Sequence, residues 1–132
     1  MNELFTDLVP PQNVEAEQAV LGAIFLVPSS LILASEILLP EDFYRSAHQK
    51  IFLVMLKLND TGKAVDLVTV TEELSATKQL EEVGGVSYLT ELASSVPTAA
   101  NIEYYARIVE EKSVLRRLIN TATGIVQDGY SR

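Results

Sequence analysis

The last part of the sequence, residues 98–132, predicts one long helix whose apolar face changes sides halfway along. At about 100° of rotation per residue, one face is apolar from Ile102 to Val109 and turns polar beyond Glu111, where Ser113 and Arg116 lie. A helix buried in one globule keeps a single apolar face, so two faces indicate two interfaces. We expect the face that ends at Val109 to dock on the body of the domain and the second half of the helix to leave it. The second apolar face carries Leu115, Leu118, Ile119, Ala122, Ile125 and Val126.

A fully buried central helix is the alternative interpretation of this segment. Charged residues from Glu110 to Lys112, together with Arg116 and Arg117, argue against it, because unpaired charges are rarely buried. The pattern therefore favours an interaction domain whose second helical face is covered by a partner outside residues 1–132.

Composition excludes several classes of protein. The chain has 132 residues, of which 48% are hydrophobic, and this is enough for one domain with a core. A net charge of −8 and scattered basic residues argue against direct DNA binding, which needs clustered Lys and Arg. The absence of cysteine fits a reducing cytosol or a bacterial protein. The polar, acidic first twelve residues do not resemble a signal peptide, and the apolar runs are too short to span a membrane.

Capping and helix-stopping residues predict an all-α fold, an orthogonal bundle of about six helices followed by a protruding helix. Asn13 is the predicted N-cap of a helix over residues 14–27. Capping boxes at Ser46–Gln49 and Thr69–Glu72 predict helices over residues 47–59 and 70–77, and Asp66 is expected to cap the bend before the second of these. Thr98 or Asn101 caps the long helix. Residues 65–68 form the only strand-like stretch. The predicted regions are an N-terminal arm (1–12), a globular helical head (13–98) and a hairpin helix (99–132).

No set of residues in the sequence matches a catalytic, metal or cofactor site. His48 is the only histidine, so motifs that need two histidines are excluded. Its position near the start of a capped helix predicts a solvated side chain, or one that contacts the cap. Gly62-Lys63 does not complete a phosphate-binding loop, because Ala64 follows in place of Ser or Thr. A small acidic enzyme therefore lacks any supporting site.

Three stretches of the sequence carry a resemblance to a known family. They are Pro10-Pro11-Gln12-Asn13-Val14-Glu15-Ala16-Glu17-Gln18-Ala19-Val20-Leu21-Gly22, then Asp42-Phe43-Tyr44 leading to His48-Gln49-Lys50-Ile51-Phe52, and Gly84-Gly85-Val86-Ser87-Tyr88-Leu89 through Ile102-Glu103-Tyr104-Tyr105-Ala106. These stretches cover most of the chain, and in this order they resemble the N-terminal domain of DnaB-type bacterial replicative DNA helicases, in the version found in Bacillus-like bacteria.

The resemblance implies a helical head followed by a helical hairpin. In that family six copies form a collar, a trimer of dimers in which the hairpins of two subunits pair. The collar receives the C-terminal helicase-binding domain of primase, and a helicase loader is a further candidate partner. A motor domain, which uses ATP and Mg²⁺, unwinds DNA at the replication fork in the cytoplasm. Residues 1–132 lack that motor and stop just past the first hairpin helix, so no ATPase activity is expected of them.

The same resemblance assigns roles to the second apolar face of the long helix. Leu115, Leu118, Ala122 and Val126 are expected to pack against the second hairpin helix and the partner's hairpin. Ile119 and Ile125 lie on opposite edges of this face, which leaves one of them available to a third component such as primase. The alternative is that they belong to the core of their own subunit.

Two residues outside the long helix are further candidates for partner binding. Tyr88 lies on a short helix just before the hairpin, and aromatic side chains are enriched at interfaces. Its alternative role is that of a half-buried core residue. Glu15 is a weaker candidate, because the helix dipole explains an acidic residue in a first helical turn. A free-standing helical adaptor or dimerisation domain of a regulator is the alternative function.

Overall fold

The computed structural model describes residues 8–132, so the prediction for residues 1–7 of the N-terminal arm lies outside the described residues. The all-helical fold is confirmed, since residues 8–132 contain no strand. Residues 8–12 have no regular secondary structure. The elements are α1 (Val14–Leu26), α2 (Ser30–Ile37), a 3₁₀ turn (Pro40–Asp42), α3 (Ser46–Asp60), α4 (Leu67–Ala76), α5 (Gly85–Ala93) and α6 (Ile102–Ser131).

Helix α1 lies at the centre of the fold and packs against α2, α3, α5 and α6. Nearly every residue from Ala16 to Ile24 is buried, as expected for a helix surrounded by others. The predicted N-cap is confirmed, because the Asn13 side chain accepts a hydrogen bond of 2.9 Å from the amide of Ala16. Gly22 permits the contact with α5, since a Cβ atom here would lie 2.6 Å from the carbonyl oxygen of Leu92.

The start of α4 corrects the predicted capping box. The expected pair Thr69–Glu72 is wrong, and the box is formed one turn earlier by Asp66 and Thr69. The Asp66 carboxylate accepts from the Thr69 amide at 2.9 Å, and the Thr69 hydroxyl accepts from the Asp66 amide at 2.9 Å. The prediction that Asp66 caps this bend is confirmed, and the strand-like stretch at residues 65–68 leads into the helix.

The capping box predicted for α3 is also wrong. Helix α3 begins at Ser46, with Arg45 as N-cap and no side-chain capping bond. Gln49 instead donates to the carbonyl oxygen of Phe43 at 2.7 Å. The amides of Tyr44 and Arg45, which precede the helix, donate to a carboxylate of α1 rather than to a local side chain. A tertiary contact therefore replaces the local cap.

Helix α6 runs along the head and then extends beyond it. Ile102, Ala106 and Val109 are buried against the core, which confirms that the first apolar face docks on the body. No residue from 117 to 132 is buried. The alternative of a fully buried central helix is therefore wrong.

Candidate functional site

A hydrogen-bonded chain of four side chains lies between α1, α3 and α5; we call Glu17, Gln18, His48 and Tyr88 the Tyr88 cluster. His48 Nδ1 lies 2.7 Å from Glu17 Oε1, and His48 Nε2 lies 2.6 Å from the Tyr88 hydroxyl. Gln18 Nε2 donates to the same hydroxyl at 3.1 Å. The planes of the His48 and Tyr88 rings lie 11° apart. His48 and Glu17 are buried, whereas Tyr88 is half-buried.

One assignment of donors and acceptors satisfies all the hydrogen bonds along the Tyr88 cluster. The Glu17 carboxylate accepts from the Tyr44 amide at 2.6 Å and from the Arg45 amide at 3.3 Å, so it is held as an acceptor. His48 then donates from Nδ1 to Glu17 and accepts at Nε2 from the Tyr88 hydroxyl. Gln18 donates to the tyrosine oxygen, and every buried polar side-chain atom of the cluster has a partner.

A second group of polar contacts joins α6 to the head; we call Asp42, Ser113 and Arg116 the Asp42 cluster. The Ser113 hydroxyl donates to Asp42 Oδ1 at 2.7 Å, and both residues are buried. Arg116 donates to two backbone carbonyl oxygens, those of Pro11 at 2.7 Å and Asp42 at 2.8 Å. Its guanidinium group also lies 5.4 Å from the centre of the Tyr44 ring.

The Asp42 cluster corrects the predicted extent of docking. We expected the contact between α6 and the head to end at Val109, because the same face turns polar beyond Glu111. The contact instead continues through Ser113 to Arg116 with hydrogen bonds in place of apolar packing. A polar helix face can dock when its groups meet partners, and here Asp42 and two carbonyl oxygens supply them.

Beyond Arg116 the second apolar face of α6 is largely open to solvent; we call it the exposed stripe. The exposed fractions are 61% for Leu118, 44% for Ile119, 67% for Ile125 and 37% for Val126. Ala122 is exposed as well, and Leu115 is partly buried. Within residues 8–132, Ile119 and Ile125 therefore lie outside the core of the head.

The structure places the other two sequence candidates in separate surface grooves. Tyr88 lines a groove whose other members include Arg45, Glu81 and Glu91. Glu15 is exposed and lines a different groove, between α1, α6 and the loop that follows α5. Gln18 connects the two regions, since it lines the groove of Glu15 and donates a hydrogen bond to Tyr88.

Sequence reasoning missed the buried roles of Glu17, His48, Asp42 and Ser113. The prediction of a solvated His48 is wrong, because the side chain is 0% exposed. It is bonded to Tyr88 and to Glu17, the residue that takes the place of a local cap at α3. One signal was present for Glu17, since it lies three residues before Val20 on the apolar face of α1. No such local signal indicated the partner of Ser113, which is 71 residues away.

Across residues 8–132, no helix combines the length and hydropathy needed to cross a bilayer. In the same range, no group of three or more His, Cys, Asp or Glu side chains converges on a position that could hold a metal ion.

The sequence matches relatives along its whole length. The family described as "DnaB-like helicase N terminal domain" matches residues 9–111. "Replicative DNA helicase DnaB" of Geobacillus stearothermophilus is 73% identical over 132 residues, and "Replicative DNA helicase DnaC" of Bacillus subtilis (strain 168) is 71% identical over 132 residues. Each alignment covers 100% of this chain, which spans only 29% of the length of either relative.

Solved structures show the same fold. The crystal structure of the N-terminal domain of DnaB helicase from Mycobacterium tuberculosis superposes with a TM-score of 0.90 at 48% identity, covering 92% of this chain and 85% of that one. The N-terminal domain of DnaB helicase from Helicobacter pylori, described together with its interactions with primase, superposes with a TM-score of 0.77 at 25% identity. That match covers 88% of this chain and 90% of the other.

Proposed function

The chain belongs to the DnaB-like helicase N-terminal domain family, and from this premise we propose that it is the collar domain of a hexameric replicative DNA helicase. In this role it joins helicase subunits and docks the C-terminal helicase-binding domain of primase. The observation that carries the proposal is the exposed stripe of α6, which follows directly after the part of the helix that is bonded to the head. Large apolar side chains gathered on one face of a helix are typical of a protein interface.

Subunit contacts are the first use of the exposed stripe. The centre of the face is where a second hairpin helix and the hairpin of another subunit would pack. It consists of Leu115, Leu118, Ala122 and Val126. Ser113 and Arg116 support this role, because they hold α6 on the head immediately before the stripe begins. Pairing of hairpins in this manner would give the dimers of a trimer of dimers.

Primase docking is the second use, and it involves Ile119 or Ile125 together with Tyr88. Both isoleucines lie on the edges of the stripe and are exposed. Tyr88 is a half-buried aromatic residue in a groove of the head. The similar Helicobacter pylori domain is described with its interactions with primase, which supports this choice of partner. Glu15 is a weaker contact candidate, and a helicase loader is a further partner.

The parent protein would use ATP and Mg²⁺ in a motor domain outside these 132 residues, and it would act in the bacterial cytoplasm at the replication fork. Identity of 73% with a replicative helicase over the whole of this chain supports a helicase parent rather than a free-standing adaptor. With a net charge of −8, the domain itself is not expected to bind DNA.

Substitutions in the exposed stripe test the proposal. Ile119→Asp and Ile125→Asp should each weaken binding to a Bacillus-type primase C-terminal domain, or association between copies, by tenfold or more, on the order of a hot-spot effect. Calorimetric titration measures the first and sedimentation equilibrium the second. Val68→Asp, at an exposed apolar position on α4, is the matched control and should change neither.

Denaturant unfolding separates an interface role from a core role. Ile119→Ala should leave the free energy of unfolding unchanged within about 0.5 kcal/mol. Ile102→Ala, a substitution of a buried residue, should lower it by about 2–5 kcal/mol. An unfolding midpoint lowered equally by the two substitutions would contradict the interface role of Ile119.

A further inference from the structure

Tyr88 takes part in two contacts of the domain and also lines a surface groove. Its hydroxyl lies 2.6 Å from His48 Nε2 and accepts a hydrogen bond from Gln18. The same residue lines the groove of the head that contains Glu81 and Glu91. A partner in this groove would therefore reach a tyrosine whose hydroxyl is already bonded within the domain.

The bonds to the hydroxyl lead back to the rigid core. His48 is buried on α3 and bonded to Glu17, and Glu17 is held by the backbone amides of Tyr44 and Arg45. The Tyr88 and His48 rings meet end to end through the hydrogen bond between the Tyr88 hydroxyl and His48 Nε2, with the centroids 5.9 Å apart and the planes 11° apart. The far end of the tyrosine is thus fixed by two hydrogen bonds.

We propose that Gln18 and His48, with Glu17 behind them, are positioning residues that fix the Tyr88 ring in its binding orientation. This inference rests on the proposed docking of primase at Tyr88. A side chain held in place before binding loses less rotational freedom in the complex, so the same contacts give a higher affinity. The effect needs no contact between Gln18 or His48 and the partner.

Gln18 offers the cleaner substitution, because it is partly exposed and its removal leaves the bond between Tyr88 and His48 intact. Gln18→Met keeps the length of the side chain and removes the donor. We expect it to weaken binding of the primase C-terminal domain roughly three- to tenfold, the size of effect that immobilising one side chain gives. Gln79→Met, at another partly exposed glutamine, is the matched control and should bind like the unaltered chain.

A double-mutant cycle with Tyr88→Phe distinguishes positioning from direct contact. If the hydroxyl serves only to hold the ring, Tyr88→Phe and Gln18→Met break the same bond. The double variant should then bind no more weakly than Tyr88→Phe alone. Circular dichroism confirms that each variant is folded under the binding conditions, and a loss of stability by itself does not produce this non-additivity in the dissociation constant.

Each outcome of the binding measurements bears on one of the two hypotheses. Additive losses for Gln18→Met and Tyr88→Phe would overturn the positioning role, because the hydroxyl would then contact the partner independently of Gln18. The positioning role also fails if Gln18→Met binds normally while Tyr88→Ala binds weakly. Normal binding by Tyr88→Ala would instead overturn the docking role proposed for Tyr88 itself.

Discussion

Ser113→Ala should destabilise the chain although it removes a single oxygen atom. The Ser113 hydroxyl donates to Asp42 Oδ1 at 2.7 Å, and both residues are buried. A hydrogen bond to a charged group contributes about 1.5–3 kcal/mol to the free energy of unfolding. Alanine has a higher helix propensity than serine, and this offsets the loss by roughly a few tenths of a kcal/mol. We expect a net loss of about 1–2.5 kcal/mol in the free energy of unfolding.

Urea denaturation followed by circular dichroism measures this loss. The urea midpoint should fall by about 1 M, and the slope of the free energy of unfolding against urea concentration should stay unchanged. Ser35→Ala is the matched control, because Ser35 is an exposed helical serine whose hydroxyl donates only to a local carbonyl. Equal midpoints for the two variants would refute the argument that Asp42 depends on Ser113.

C-terminal truncations test the same cluster without substituting any residue. A chain ending at Leu118 keeps both Ser113 and Arg116, and it should be as stable as the whole chain within about 0.5 kcal/mol. A chain ending at Glu111 loses both contacts and should be less stable by about 1–3 kcal/mol. Equal stability of the two truncated chains would show that docking of α6 ends at Val109 after all.

Three further predictions follow from individual contacts. Gly22→Ala should lower the free energy of unfolding by about 1–3 kcal/mol, because its Cβ would press on the α5 backbone; Gly124→Ala, with open space around it, should not lower it. A hydrogen bond from Lys57 lowers the pKa of Glu73 below its ordinary value of 4.5, so their interaction stabilises the fold above that pH and is lost as the pH falls through the lowered pKa. Lys57→Met should raise this pKa in a carboxyl-carbon NMR titration, and an unchanged value would contradict the assignment. Fluorescence anisotropy at about 150 mM salt should detect no micromolar binding of single-stranded DNA, in keeping with the net charge of −8.

Patterns that repeat along a single helix allowed the sequence to predict most of the fold. The apolar face of α6 up to Val109 and the cap at Asn13 depend on residues within a few positions of each other. The structure confirms both. The exposed stripe was visible for the same reason, because the angle between two faces of a helix follows from its fixed rotation per residue.

The capping boxes at Ser46 and Thr69 show where local rules stop. Both predictions used residue types that can cap a helix. The start of a helix depends, however, on which hydrogen-bond acceptor lies close to the amides near its first turn. At α4 that acceptor is Asp66, one turn earlier. At α3 no side chain caps the first turn, and Glu17 of α1 instead accepts from the two amides just before the helix, a contact that the sequence near Ser46 does not indicate.

The two polar clusters were decided by tertiary structure alone. Glu17 and His48 belong to residue types that are usually exposed, and each is buried because a partner from another helix satisfies it. Along α6, Ser113 and Arg116 interrupt the first apolar face, and the folded structure brings Asp42 beside them as a hydrogen-bond partner. The sequence by itself determined which faces are apolar and where helices form, because these depend on neighbours in the chain. Which polar residues are buried depends on pairs far apart in the chain, and only the folded arrangement of helices brings them together.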